Sequence, residues 1–100
     1  MDSSGFGVHN VSIIRPCSTK AAFEGILKRK VALNLPEASS KLRDKGYEII
    51  AVTNYVMVVR KDHELTIFPS GRVIVKDIDD LSSAKVFIEK LHQDLGLYES

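Results

Sequence analysis

The sequence lacks the features that mark secreted and membrane-spanning proteins. It contains a single cysteine, Cys17, which cannot form an intramolecular disulfide and favours a reducing compartment. No apolar run approaches the roughly 20 residues that a membrane span requires. The start of the chain, residues 1–5, carries an acid where a signal peptide carries a basic region. We therefore predict a cytoplasmic protein with no membrane contact.

An excess of charge of one sign is also absent. Fourteen Lys and Arg residues nearly cancel thirteen Asp and Glu residues, which argues against a dedicated polyanion binder. With 44% hydrophobic and 27% charged residues, the composition is typical of a folded domain. The 100 residues suffice for one domain. We place it at residues 8–98, after a flexible terminus at residues 1–7.

Catalytic and metal-binding patterns are missing from the sequence. His9, His63 and His92 have no second ligand at metal-binding spacing. Ser70 does not lie in a nucleophile elbow, and the acidic segment 77–80 lacks the spacing and central glycine of a calcium loop. We expect no enzyme, no cofactor and no metal site.

Two helices are predicted after a first strand. Val8–Ile14 is rich in β-branched residues and predicts a strand. A helix is expected from a cap at Ser18 or Thr19 to about Lys30, because its apolar residues recur at helical spacing. Those residues are Ala22, Phe23, Ile26, Leu27 and, at the end, Val31.

Two glycines punctuate the helical region. Gly25 lies within the apolar stripe and weakens a helix by about 1 kcal/mol relative to alanine. We expect a neighbour to pack closely there, or a small apolar ligand to use the space. A second helix is predicted from Pro36 to Lys45, ended by Gly46.

The rest of the chain predicts four strands and a closing helix. The strands are expected at Tyr47–Val52, Tyr55–Arg60, Leu65–Phe68 and Arg72–Lys76, with polar turns at 61–64 and 69–71. The helix begins at a cap on Asp80 or Ser82 and ends at Gly96. The order β-α-α-β-β-β-β-α predicts an α+β fold, one curved antiparallel sheet of about five strands with helices on one face.

Strand alternation assigns side chains to the two sheet faces. Tyr55, Met57, Val59 and the apolar residues 65, 67, 73 and 75 are expected to face the helices. The other face, with Asn54 at its margin, is left uncovered, and a patch of apolar residues there is typical of a binding surface. A shift of one residue in a strand would exchange its faces. The candidate binding face comprises Val56, Val58, Arg60, Thr66, Phe68, Arg72, Ile74 and Lys76.

Residues 65–76, L-T-I-F-P-S-G-R-V-I-V-K, resemble the strand–turn–strand segment of the TATA-box-binding protein family, L-I-F-x-S-G-K followed by an apolar strand. Val56–Arg60 is similar to the preceding strand of that family. Ser82–Leu97 is similar to its long closing helix, including the final Leu-Gly-hydrophobe. The resemblance implies a single repeat of that fold, with helices on the convex side of the sheet. The link from Ser18 to Gly46 is longer than in the family and implies one additional helix.

In that family two repeats form a saddle that holds a bent minor groove and inserts phenylalanines between base steps. By resemblance, Phe68 occupies a wedge position, Arg72 lies near the phosphates and Asn10 matches a groove-reading asparagine. Asn54 stands where the second wedge phenylalanine is expected, and Lys76 replaces a threonine. These departures weaken the case for groove insertion. A homodimer would restore the symmetry of the saddle.

Two functions follow from these observations. The first is a non-enzymatic interaction module that binds a protein partner or a second copy through the open sheet face. The alternative is a nucleic-acid-binding protein that uses the same face. The near-zero charge favours the first, as does the placement of a basic group on the predicted helices: Lys28, Arg29, Lys30, Lys41, Arg43 and Lys45.

Overall fold

A computed structural model describes residues 12–16, 22–28, 30–78 and 80–97. These residues form one six-stranded antiparallel sheet and two helices, which confirms the predicted α+β class. The strands are β1 (Ser12–Pro16), β2 (Ala22–Leu27), β3 (Glu48–Val52), β4 (Met57–Lys61), β5 (His63–Ile67) and β6 (Val73–Lys76), and the helices are α1 (Leu35–Asp44) and α2 (Leu81–Asp94).

The sheet has the order β1-β2-β6-β5-β4-β3, so β1 and β3 are its edges. Buried residues of both helices form one core with the apolar side chains of the sheet, and α2 lies against β1, β2 and β6. Part of the first predicted strand, residues 8–11, lies outside the described residues. The observed β1 runs on to Pro16, which an edge strand tolerates because one side of its backbone needs no partner.

The helix predicted from Ser18 or Thr19 to Lys30 is wrong, because Ala22–Leu27 is a strand paired with both β1 and β6. The apolar residues of this segment fit both the roughly 3.6-residue period of a helix and the two-residue period of a strand. In the strand, the side chains of Phe23 and Leu27 face the core, while those of Ala22 and Glu24 are buried on the opposite face of the sheet. Hydrogen bonding to two neighbouring strands overrides a helix preference already weakened by Gly25. The sheet therefore has six strands, and the order is β-β-α-β-β-β-β-α.

The two observed helices begin and end close to their predicted limits. Asn34 caps α1, where its Oδ1 accepts a 3.0 Å hydrogen bond from the Glu37 N–H. Asp80 caps α2 and accepts a 2.8 Å hydrogen bond from the Ser83 N–H. Gly46 and Gly96 follow the helices with φ of 95° and 78°, a conformation that favours glycine.

The limits of β3 to β6 differ from the prediction by one or two residues. Tyr55 lies in the link between β3 and β4 and is 79% exposed, so its expected contact with the helices is wrong. Thr53 Oγ1 organises this link by accepting 3.0 Å hydrogen bonds from the N–H groups of Tyr55 and Val56. The chain turns within the predicted segment 61–64, but the turn is shorter than predicted, because β5 begins at His63 and Asp62 alone joins it to β4.

The loop between β5 and β6 consists of Pro69, Ser70 and Gly71. The Phe68 N–H donates to Arg72 O, and the Gly71 N–H donates to Phe68 O, both at 2.9 Å. Gly71 has φ of 90°, as expected for a three-residue hairpin loop. Phe68 and Arg72 therefore lie just outside the strands and close the hairpin.

Candidate binding face

A row of paired residues crosses the sheet on the side away from the helices. Val58 lies opposite Thr66, Thr66 opposite Ile74, and Ile74 opposite Glu24. Val58, Thr66 and Ile74 are half-buried. Their neighbours along the strands, Met57, Val59, Leu65, Ile67, Val73 and Val75, are at most 1% exposed. The predicted facing of β4, β5 and β6 is confirmed, and binding by this face stays a prediction.

Phe68 and Arg72 interact with each other at the end of this face. The Arg72 guanidinium carbon lies 5.1 Å from the centre of the Phe68 ring, in cation–π geometry. Phe68 is half-buried. The ring is thus partly covered by its own chain. Val56 is half-buried as well, but it lies in the link before β4 and not at this end of the face.

Glu24 holds two arginines at the β1–β2–β6 side of the face. Its Oε2 accepts a 2.8 Å hydrogen bond from Arg15 Nε, and its Oε1 accepts one of 2.8 Å from Arg72 Nε. The Glu24 side chain is 10% exposed, against 58% for Arg15 and 43% for Arg72. The hydrogen bonds from Arg15 and Arg72 lower the pKa of Glu24 despite its burial. We call these three residues the Glu24 cluster.

A second cluster of one carboxylate and two cations spans β4, β5 and β6. Glu64 lies between Arg60, at 3.6 Å, and Lys76, at 3.4 Å. The side chains of Arg60 and Lys76 are 55% and 51% exposed, and that of Glu64 is 29% exposed. We call these residues the Glu64 cluster.

Both clusters expose their cations more than their acids. Each has two cations and one carboxylate, and in each the carboxylate is the least exposed member. The half-buried row of Val58, Thr66 and Ile74 lies among them. A partner approaching this face therefore meets guanidinium and ammonium groups around the row, which presents the apolar side chains of Val58 and Ile74 on either side of Thr66.

The structure brings most of the predicted site together and adds residues to it. Arg15, Glu24 and Glu64 were not predicted. Glu24 was missed because β2 was interpreted as a helix, since the apolar residues of this segment are compatible with either period. Asn54 is exposed in the β3–β4 link.

The basic group predicted on two helices is divided in the structure. Lys41, Arg43 and Lys45 are exposed on α1 and at its end, as expected. Lys28 and Lys30 are also exposed but follow strand β2, so their helical placement is wrong. Asn10, Cys17 and Arg29 lie outside the described residues. Four cations of the two clusters lie on the open face, so basic residues are not confined to the helical side.

The two described histidines, His63 and His92, have structural contacts. His92 is buried and its Nε2–H donates to Gly71 O at 2.8 Å, while the His63 and Phe87 rings are in T-shaped contact. No group of three His, Cys, Asp or Glu side chains that could hold a metal ion occurs among the described residues. Neither described helix has the length and apolarity needed to cross a membrane.

Comparisons of the chain with protein-family models, with curated proteins and with solved structures find no match.

Proposed function

We propose that this protein is a non-enzymatic interaction module that binds a protein partner through the open face of its sheet. The observation that carries the proposal is the half-buried row of Val58, Thr66 and Ile74 on a face that the described helices leave uncovered. Apolar side chains in such a position contribute binding free energy when a partner removes them from water.

The charges around this row favour a partner with acidic groups. The cations of the Glu24 and Glu64 clusters are exposed to 43–58%, and a partner carboxylate can reach them without displacing the less exposed acid of each cluster. A second copy that met the chain face to face would bring two sets of cations together, which opposes binding. Self-association is therefore the less favoured form of the proposal.

The element order supports the resemblance to a repeat of the TATA-box-binding protein family. From β2 to α2 the chain runs strand, helix, four strands, helix. The resemblance implies this order together with one additional element. That additional element is the edge strand β1 instead of a helix. The chain would then correspond to a single repeat of that fold.

Nucleic-acid binding by the same face is the second candidate function. The four exposed cations, Arg15, Arg60, Arg72 and Lys76, favour it because phosphates bind such groups. The contact of Phe68 with Arg72 disfavours it, because a wedge must leave its own chain to enter a base step. Binding to duplex that weakens steeply as salt rises would support this function, and no binding at about 50 mM salt would exclude it.

The protein-binding proposal is tested by a charge placed in the apolar row. Ile74→Glu is compared with Leu81→Glu, which makes the same kind of change at a 51% exposed position of α2. Partners captured by the wild-type chain are identified and their affinities measured, with self-association followed by sedimentation. We expect Ile74→Glu and Phe68→Glu to weaken binding by more than tenfold, while Leu81→Glu retains it. A strictly monomeric chain that captures no partner, or binding unaffected by Ile74→Glu, contradicts the proposal.

A further inference from the structure

A pocket of about 220 Å³ opens on the helical side of the sheet, away from the proposed binding face. Its floor is made by the core residues Leu65 and Tyr47, which are 1% and 5% exposed. The volume is below the roughly 300–1,000 Å³ of pockets that hold drug-sized ligands. The pocket therefore fits only a small molecule.

Helix α2 provides the wall of the pocket through Val86 and Phe87. The Phe87 and His63 rings are in T-shaped contact, with 4.7 Å between ring centres, which favours this orientation of the Phe87 ring. Val86 is 64% exposed although it is apolar. A ligand in the pocket would cover an exposed valine as well as the floor, so burial of apolar surface favours binding.

Two lysines and one aspartate supply the charges among the described residues that line the pocket. Lys61 Nζ donates a 3.0 Å hydrogen bond to Lys45 O and lies 4.8 Å from the centre of the Tyr47 ring. This places its charge above the floor while a carbonyl occupies only one of its three N–H donors. Lys90 Nζ binds Asp94 at 3.1 Å. Asp62, the aspartate of the lining, forms the tight turn between β4 and β5.

We propose that this pocket binds a small organic anion, an apolar body that carries one carboxylate. The apolar body would lie against Leu65, Val86 and Phe87, and the carboxylate would accept hydrogen bonds from Lys61. Because Lys90 is paired with Asp94, the charge that selects an anion over a cation of the same shape is the Lys61 ammonium, which has two further N–H donors for a carboxylate. The inference is independent of the function proposed for the open face, since no residue is shared between the two sites.

The test uses benzoate, with benzamide and benzylamine as neutral and cationic probes of similar shape. Each is titrated into the full chain, and the backbone amide and methyl resonances are followed by NMR. We expect saturable shifts confined to the pocket residues for benzoate, with a Kd of roughly 1 mM or tighter. Benzamide is expected to bind about tenfold more weakly and benzylamine more weakly still. An absence of saturable shifts, or benzylamine binding as tightly as benzoate, overturns the proposal.

Two variants test the contributions of the pocket volume and of the Lys61 charge to benzoate binding separately. Val86→Trp fills the pocket from an exposed position and should abolish benzoate binding, whereas Leu81→Trp, at another exposed apolar position of α2, should retain it. Lys61→Met keeps the unbranched side chain and removes the ammonium, so the preference for benzoate over benzamide should be lost. Retained binding in Val86→Trp, or an unchanged preference in Lys61→Met, contradicts the site.

Discussion

The side chain of Ile88 occupies the space beside Gly25 that any other residue would need. A Cβ built on Gly25 would lie 2.5 Å from Ile88 Cγ2, much closer than non-bonded carbons approach. Ile88 is fully buried in α2 and Gly25 lies in β2. Helix α2 can therefore lie directly on the sheet at this point, and the space is not available to the small ligand considered from the sequence.

Gly25→Ala is expected to destabilise the protein by about 1–3 kcal/mol, since the new methyl group overlaps a buried side chain. Urea denaturation followed by circular dichroism measures the change in the free energy of unfolding. The double variant Gly25→Ala with Ile88→Leu moves the branch away from Cβ and so removes the Cγ2 methyl group from the contact. We expect it to lose less stability than the sum of the two single variants. A stability of Gly25→Ala equal to wild type would contradict the contact.

His92 makes the stability depend on pH in the weakly acidic range. Burial in the core lowers the pKa of His92, and the hydrogen bond to the Gly71 carbonyl opposes this only in part. Below the ordinary histidine pKa of 6.5 the unfolded chain then binds more protons than the folded chain. The free energy of unfolding should therefore fall as the pH decreases from 6.5 towards the folded-state pKa.

Denaturation midpoints between neutral pH and the acidic range measure this dependence. In His92→Gln the slope contributed by His92 should disappear, while His63→Gln should keep it because His92 is intact there. A His92→Gln variant with the wild-type pH dependence would contradict the assignment. We also expect His92→Gln to be less stable than wild type at neutral pH, since the substitution alters a buried hydrogen bond to Gly71 O.

The Tyr47 hydroxyl connects the start of β3 to the end of α2. It donates a 2.8 Å hydrogen bond to Asp94 Oδ2, and Asp94 is 7% exposed. Asp94 also accepts a hydrogen bond from Lys90 Nζ, and this bond remains when Tyr47→Phe removes the hydroxyl. We expect Tyr47→Phe to cost about 1–3 kcal/mol of stability. The control is Tyr55→Phe, at a 79% exposed ring, which should change the stability little.

Burial, followed by the hydrogen bond to Asp94, raises the pKa of Tyr47 above its ordinary value of 10.0. Because the unfolded chain then loses this proton first, the free energy of unfolding should decrease as the pH rises above 10.0. Tyr47→Phe should remove that contribution. Unfolding at several alkaline pH values checks it, and an identical decrease in the variant would contradict the raised pKa.

The sequence predicts the fold well where the apolar period is unambiguous. The buried apolar residues of β4, β5 and β6 alternate along the strands, at positions 57, 59, 65, 67, 73 and 75, and α2 repeats its apolar residues at helical spacing over several turns. Ala22–Leu27 has only six residues, with apolar groups compatible with either period. Pairing with β6, more than 40 positions along the chain, decides its structure, and local propensity does not contain that information.

The candidate face was predictable only as far as the strands were. Once β5 and β6 are recognised, alternation places Thr66 and Ile74 on the open side. The charge clusters depend on contacts between distant segments. Glu24 and Arg72, for instance, are brought together only by the β2–β6 pairing. Side-chain exposure also depends on the fold, so the partial cover of Phe68 by Arg72 had no signal in the sequence.

Glu24→Gln tests the electrostatic organisation of the open face. The variant keeps the shape of the side chain but removes the charge that Arg15 and Arg72 share. Since both arginines are about half exposed, solvent screens the pairs, and we expect a loss of only about 1 kcal/mol at neutral pH. The lowered pKa of Glu24 means that its contribution to the free energy of unfolding is present above pH 4.5 and is lost as the pH falls through the folded-state pKa.

The variant should therefore lose less stability than wild type on acidification, which thermal unfolding at neutral and acidic pH measures. Glu37→Gln, at an exposed position of α1 away from the face, is the matched control. Equal acid sensitivity in Glu24→Gln and wild type would show that the Glu24 cluster does not contribute to folding.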